Sequence, residues 1–221
     1  MSFRLVKIDE ALRQEHCHLT ADDDCYFFGE YQSRAGYAAS PTNGLITNFK
    51  KSVTRRGLPE YRYKEQSIAE VGQLIRNSIA SASLGASTFV PVPPSKSKAD
   101  PLYDDRLVRA LGSGNPQLDV REVLVKTHST RAHHEYGEGE RRPTPDDLYE
   151  VLAIDETQLQ TPLKQWVILF DDVLTNGTHF KACKRRLIER VPDAKVIGLF
   201  IGRRKAPPSM EFDLSAFLAD F

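Results

Sequence analysis

Residues 167–179 read VILFDDVLTNGTH, and no other stretch of the chain gathers so much chemistry in so few positions. Four apolar residues predict a buried strand that ends on paired carboxylates, Asp171 and Asp172. A short turn of Thr175, Asn176, Gly177, Thr178 and His179 follows and leads into a helix. In open α/β sheets ligands bind beyond the carboxyl ends of the strands. Backbone N–H groups at a helix start converge on one point, and the helix dipole adds positive potential there, which suits a phosphate. Gly177 has no Cβ, so an anion can come close to the backbone. The Thr175 and Thr178 hydroxyls donate further hydrogen bonds. The carboxylates repel a phosphate but accept hydrogen bonds from hydroxyl groups. A ligand with a phosphate at one end and hydroxyls nearby, such as a ribose 5-phosphate, fits both halves. The plainer alternative is a core strand whose aspartates cap the next helix.

Other residues that could take part are more scattered. Ser95, Lys96 and Lys98 follow a strand ending in Pro93–Pro94. Free amides and cations there suit a diphosphate, and an exposed charged turn explains them equally well. The polar stretch 127–147 carries Arg131, His133, His134, Arg141 and Arg142. Long connections of this kind are functional or disordered. A flap there could shield a reaction from water, or it could be a solvated loop. His16, Cys17, His18 and Cys25 have metal-binding chemistry, but their spacing matches no common structural zinc pattern. Lys181, Lys184, Arg185, Arg186 and Arg190 make a basic helical face with no aromatics interleaved for stacking on bases, so a solvated face is expected and nucleic acid is not.

These residues need a scaffold, and the pattern supplies one. Apolar runs at 87–92, 120–125, 148–154, 166–170 and 195–201 predict strands. The run at 166–170 is apolar on both faces, as in a parallel sheet covered by helices. Helical spacing appears after Leu45 and after Ser67, where Glu70 completes a capping-box pattern. It returns after Asp104–Asp105 and over Thr178–Arg190. Strand and helix alternate, so the expected fold is an open, mostly parallel α/β sheet with helices on both faces. Residues 1–25 read as a polar segment and 206–221 as an amphipathic tail that docks on the body.

Composition narrows the function classes. Thirty basic and 30 acidic residues give zero net charge, which argues against a bulk electrostatic grip on nucleic acid or membranes. No apolar run approaches the length of a membrane span. The first residues lack a signal-peptide core, and three separated cysteines suggest no disulfide framework, so a cytoplasmic protein is expected. A homodimer is the commonest assembly for such a chain. The glycine–lysine phosphate loop of kinases does not occur.

The segment 167–179 resembles the phosphoribosyl pyrophosphate (PRPP) motif of the type I phosphoribosyltransferases: an apolar strand, two acids and a Thr/Gly loop. VPVPPSKSKADPLYDDRLVRAL, with FFGEYQ and ITNFKK before it and the Arg-rich loop after it, resembles the ComF-like branch of that superfamily. The similarity spans roughly residues 26–205. It implies a phosphoribosyltransferase fold with 127–147 as its mobile hood. By the same resemblance Asp171 and Asp172 hold the ribose hydroxyls and stabilise a cationic transition state, residues 175–179 hold the 5′-phosphate, and Ser95–Lys98 the pyrophosphate. Mg²⁺, bound through Asp171 or Asp172, would bridge ribose and pyrophosphate, and a nitrogen-bearing base or amine would accept the phosphoribosyl group. Asn176 stands where Thr or Ser is usual and His179 where Thr is usual, though both still offer hydrogen-bond donors. The alternative is a regulatory module that binds PRPP or a nucleotide without turnover.

Overall fold

The computed structural model describes residues 3–114, 117–131, 140–141 and 143–205. The tail 206–221 and, within the expected hood, residues 132–139 and Arg142 lie outside the described residues, and with them His133 and His134. The elements in chain order are β1 (Val6–Lys7), α1 (Glu10–Arg13), β2 (Asp24–Tyr31), α2 (Pro41–Phe49) and α3 (Arg62–Ser78). Then come α4 (Ser81–Gly85), β3 (Ser87–Pro91), α5 (Arg106–Gly114), β4 (Asp119–Val120) and β5 (Leu124–Lys126). The last five are α6 (Pro145–Glu150), β6 (Leu152–Ile154), β7 (Trp166–Leu174), α7 (Thr178–Arg190) and β8 (Lys195–Arg204).

Six strands form one sheet in the order β1-β2-β8-β7-β3-β4, parallel throughout except for β1. The two-sided apolar reading of β7 explains why it is central. Val167 and Leu169 pack with Phe180, Cys183 and Leu187 of α7, on one face. Ile168 and Phe170 pack on the other with Ile46 of α2, Val71 of α3 and Leu111 of α5. Helices thus cover both faces, as the strand–helix alternation requires. Gly72 of α3 and Gly114 of α5 let those two helices meet backbone to backbone: a Cβ on Gly72 would lie 2.5 Å from the Ala110 carbonyl oxygen.

Three expectations are corrected. The run 120–125 is not one strand: β4 belongs to the main sheet, whereas β5 pairs with β6 in a separate antiparallel ribbon. The run 148–154 is only half strand. Thr144 caps α6 through a reciprocal capping box with Asp147, and the helix consumes Leu148 to Glu150 before β6 begins. Ser67 caps nothing. It lies inside α3, where its hydroxyl donates to the Tyr63 carbonyl at 2.8 Å.

The ladder is interrupted at one row of the sheet, with the register unchanged on either side. In β7 and β8, Asp171 pairs with Phe200 and Val173 with Gly202, while Asp172 and Ile201 are skipped; β2 skips Phe28 in the same row. Val173 therefore packs on the Phe170 side, where strict alternation would turn it away, and Leu174 returns to the α7 side.

Candidate functional site

The site lies where β7 ends and α7 begins. Alternation sends the two adjacent acids to opposite faces of the sheet. Asp171 turns toward α7, where its Oδ2 is 3.4 Å from Nδ1 of His179. Its Oδ1 accepts the Asp172 N–H at 2.7 Å. Asp172 turns toward α2 and α5. Lys50, just past the end of α2, donates to Oδ1 at 3.2 Å, and Arg106, the first residue of α5, donates to Oδ2 at 2.6 Å. Burial by itself would raise the Asp172 carboxyl, but the Lys50 and Arg106 charges outweigh it and hold the group well below the usual carboxylate range. Arg106 also donates to Asp104 at 2.9 Å, and Asp104 accepts from the wholly buried Lys64 at 2.6 Å. Asp172 thus joins a buried run of alternating charges, Lys64–Asp104–Arg106–Asp172, to the partly exposed Lys50.

The turn after β7 takes the expected backbone form. Gly177 sits at φ 90° and caps α7, a conformation that favours glycine. The first helical bond runs from Lys181 N to Gly177 O at 3.0 Å, so the N–H groups of Thr178, His179 and Phe180 precede the intrahelical ladder. The Asn176 side chain caps the turn from within. Its Oδ1 accepts from the Thr178 hydroxyl at 2.7 Å, from the Thr178 N–H at 3.3 Å and from the Thr175 hydroxyl at 3.3 Å.

The polar N-terminal segment, which offered no function as sequence, forms the back of this turn. The His16 ring is wholly buried, and its Nδ1–H donates to the Thr175 carbonyl. Since a carbonyl only accepts, the ring proton is on Nδ1 and Nε2 is left as a buried acceptor with no partner among the described residues. The His18 N–H donates to the Asn176 carbonyl at 2.9 Å, and Leu19 lies against Gly177. Burial lowers the His16 pKa, which keeps the ring neutral. Cys25 is buried in β2, its thiol pushed up to about 12 by burial, and no metal-ligating cluster occurs among the described residues.

Ser95 and Lys96 follow β3 and line a cavity of about 1390 Å³ together with Asp171, Asp172, Thr175, Gly177, Thr178 and His179. Lys98 turns away and pairs with Glu122 at 3.1 Å. The turn is stitched to the root of the polar connection: Thr130 N donates to Ser95 O at 2.7 Å, and Ser97 N donates to Ser129 Oγ at 3.1 Å. Arg131 lines the same cavity but pairs with Glu140 at 3.0 Å. Arg141 is exposed and bonded to Asp147 at 3.2 Å, away from the cavity wall.

Sequence reasoning missed Lys126, at the end of β5. It lines the cavity beside the Ser95 turn, donates to Thr130 Oγ1 at 2.7 Å and has no ion pair among the described residues. Burial lowers its pKa. The strand Leu124–Lys126 was visible as an apolar run, but nothing in its composition brings it to the edge of another sheet.

Of the carboxylate oxygens that could meet the expected Mg²⁺, only Asp171 Oδ2 faces neither a lysine, an arginine nor a backbone N–H among the described residues. Such ions take oxygen ligands, commonly one or two carboxylates with substrate phosphates. Both Asp172 oxygens already face cations, and Asp171 Oδ1 faces an N–H. Compared with known proteins, the chain matches no family model and no curated sequence. No described helix is long and apolar enough to cross a membrane.

Proposed function

We propose that the chain is a phosphoribosyltransferase of the type I fold that moves the phosphoribosyl group of PRPP to a nitrogen nucleophile and releases pyrophosphate. The observation that carries this reading is the juncture of β7 and α7. There a glycine at positive φ, two hydroxyls and the open start of a helix border the same cavity as Asp171 and the Ser95 turn. The 5′-phosphate binds residues 175–179, and Asp171, the acid without a lysine or arginine partner among the described residues, faces the ribose hydroxyls. The diphosphate lies over Ser95, Lys96 and Lys126. In the reaction the C1–O bond to diphosphate breaks with its electron pair leaving on pyrophosphate, and the acceptor nitrogen bonds to C1. The proton lost from that nitrogen passes to a base. Positive charge on the ribose is stabilised by the fixed carboxylates, a gain realised only in the transition state.

A specific observation favours a second reading, a binding module without turnover. The Asn176 carboxamide already occupies donors of the phosphate turn, and Asp172 is committed to Lys50 and Arg106. One experiment separates the two. PRPP binding is measured at equilibrium, and pyrophosphate release is followed across a panel of nitrogenous acceptors with Mg²⁺ supplied as the counter-ion of PRPP. Binding with release is the expected result. Binding without release for every acceptor selects the module, and absence of binding overturns both.

A further inference from the structure

A displacement at C1 brings the acceptor to the face of the sugar opposite the leaving group. The sheet order is β2-β8-β7-β3. With the ribose over β7 and the diphosphate over β3, the acceptor comes over β8 and β2. That side of the cavity has its own character. Arg204 closes β8 in register with Tyr31, the last residue of β2, one row beyond the Leu174–Arg203 pair. Adjacent strands are about 4.8 Å apart, so Tyr31 stands about 10 Å across the sheet from β7.

Three residues after Tyr31 comes Arg34. It is the one non-glycine among the described residues with positive φ, at 64°. Long side chains seldom adopt that backbone, and such outliers persist where the surroundings impose them. Here the imposing group is Asn43, which is 2% exposed. Its Nδ2 donates to the carbonyls of Gln32 at 2.8 Å and Gly36 at 3.1 Å, and its Oδ1 accepts the Gln32 N–H at 3.0 Å. One buried amide thus brackets both ends of the turn and fixes Arg34 at its tip, on the cavity wall.

The cations on this wall differ in what they already hold. Lys50 is held by Asp172, and Lys205 by Glu30 at 3.0 Å. Arg34 and Arg204 make no ion pair among the described residues. A guanidinium offers a planar fork of donors that matches a carboxylate. The half-buried Tyr31 adds an aromatic residue to the same wall. We propose that Arg34 and Arg204 select an acceptor that is a small planar ring carrying a carboxylate, an inference that rests on the phosphoribosyl reading of the β7 site. Neither arginine touches the reacting atoms; they set specificity.

The test compares nicotinate with nicotinamide, two rings of the same shape that differ in charge. Each is titrated by calorimetry into the full chain saturated with ribose 5-phosphate. Nicotinate should bind at least about tenfold more tightly than nicotinamide. Arg34→Gln and Arg204→Gln should each bring that preference below about threefold while ribose 5-phosphate affinity stays within about twofold of wild type. Equal affinity for acid and amide, a preference that survives both substitutions, or binding of ribose 5-phosphate with neither ring bound would each overturn the proposal. If ribose 5-phosphate does not bind and the Arg34-dependent preference for the acid persists, the phosphoribosyl reading falls and the carboxylate site stands.

Discussion

Asp171 and Asp172 are neighbours in sequence and strangers in space, and that difference should appear in their substitutions. Asp172→Asn removes the charge that balances Arg106 and Lys50 in a buried setting. Breaking a buried pair of this kind costs about 3 kcal/mol, so the thermal midpoint should fall by several degrees. Asp171→Asn strands no lysine or arginine among the described residues, only the His179 ring at 3.4 Å. It should cost little stability and should weaken ribose 5-phosphate binding instead. Calorimetric unfolding and ligand titration of both variants check the split, and a stable Asp172→Asn protein would show that the charge chain is not structural. Lys126 makes the complementary case. Its amine is buried without a carboxylate among the described residues, so Lys126→Met should hold or raise the thermal midpoint while weakening pyrophosphate binding by about tenfold or more, the effect of losing one charge-assisted contact. At this scale the sequence announced the two acids and the loop glycine through type and spacing alone. It could not announce their partners: Lys50 and Arg106 lie 122 and 66 residues from Asp172, and His16 lies 159 residues from Thr175.

Among the elements, α7 and β7 were readable because a two-sided apolar strand and a helical stripe are both long and regular. The failures were short signals in competition. The serine–glutamate pattern at Ser67 and Glu70 mimics a helix start, but the single turn at Pro59–Tyr61 had already launched α3. The threonine–aspartate pattern at Thr144 and Asp147 is a true start that the apolar run behind it concealed. The basic face of α7 was read as solvated, and it is so only in part. Lys181 and Lys184 converge on Asp23 at 2.7 and 2.6 Å, and the Asp23 side chain is wholly buried. Burial opposes ionisation there, but the two lysines prevail and set the Asp23 pKa at about 2, below its ordinary value of 3.8. A depressed carboxyl stabilises the fold at pH values above its unfolded pKa, and the contribution is lost as pH falls through the folded value. About 2 kcal/mol should therefore disappear between roughly pH 4 and 2. The difference in unfolding free energy between wild type and Asp23→Asn, followed through that window by denaturant titration, should shrink; a constant difference would assign the stabilisation to packing.

The molecule as a whole is neutral, yet its cavity is not. Arg34, Lys50, Lys96, Arg106, Lys126, Arg131, Arg204 and Lys205 line it against Asp104, Asp171 and Asp172. Net charge therefore misleads about partners, because it averages over a surface on which charge has been sorted. Screening acts over about 8 Å at physiological ionic strength. Affinity for ribose 5-phosphate should thus fall steadily as salt is raised, and affinity for the uncharged ribose should not; a titration of each at several salt concentrations measures it. An affinity for ribose 5-phosphate that ignores salt would place the phosphate away from these cations.

The polar segment ahead of β2 looks dispensable, since it contributes little to the apolar core and precedes the region of family resemblance. Its contacts say otherwise. His16, His18 and Leu19 brace the turn at Thr175–Gly177 from behind, so the functional unit starts well upstream of the sheet's first parallel strand. A shortened chain beginning at Asp24, the boundary that pattern matching would choose, should retain its α/β circular dichroism and lose ribose 5-phosphate binding. Retention of binding would show that the turn keeps its shape unsupported. For anyone shortening, tagging or grafting this domain, the turn proposed to bind phosphate travels with the residues that brace it, His16, His18 and Leu19.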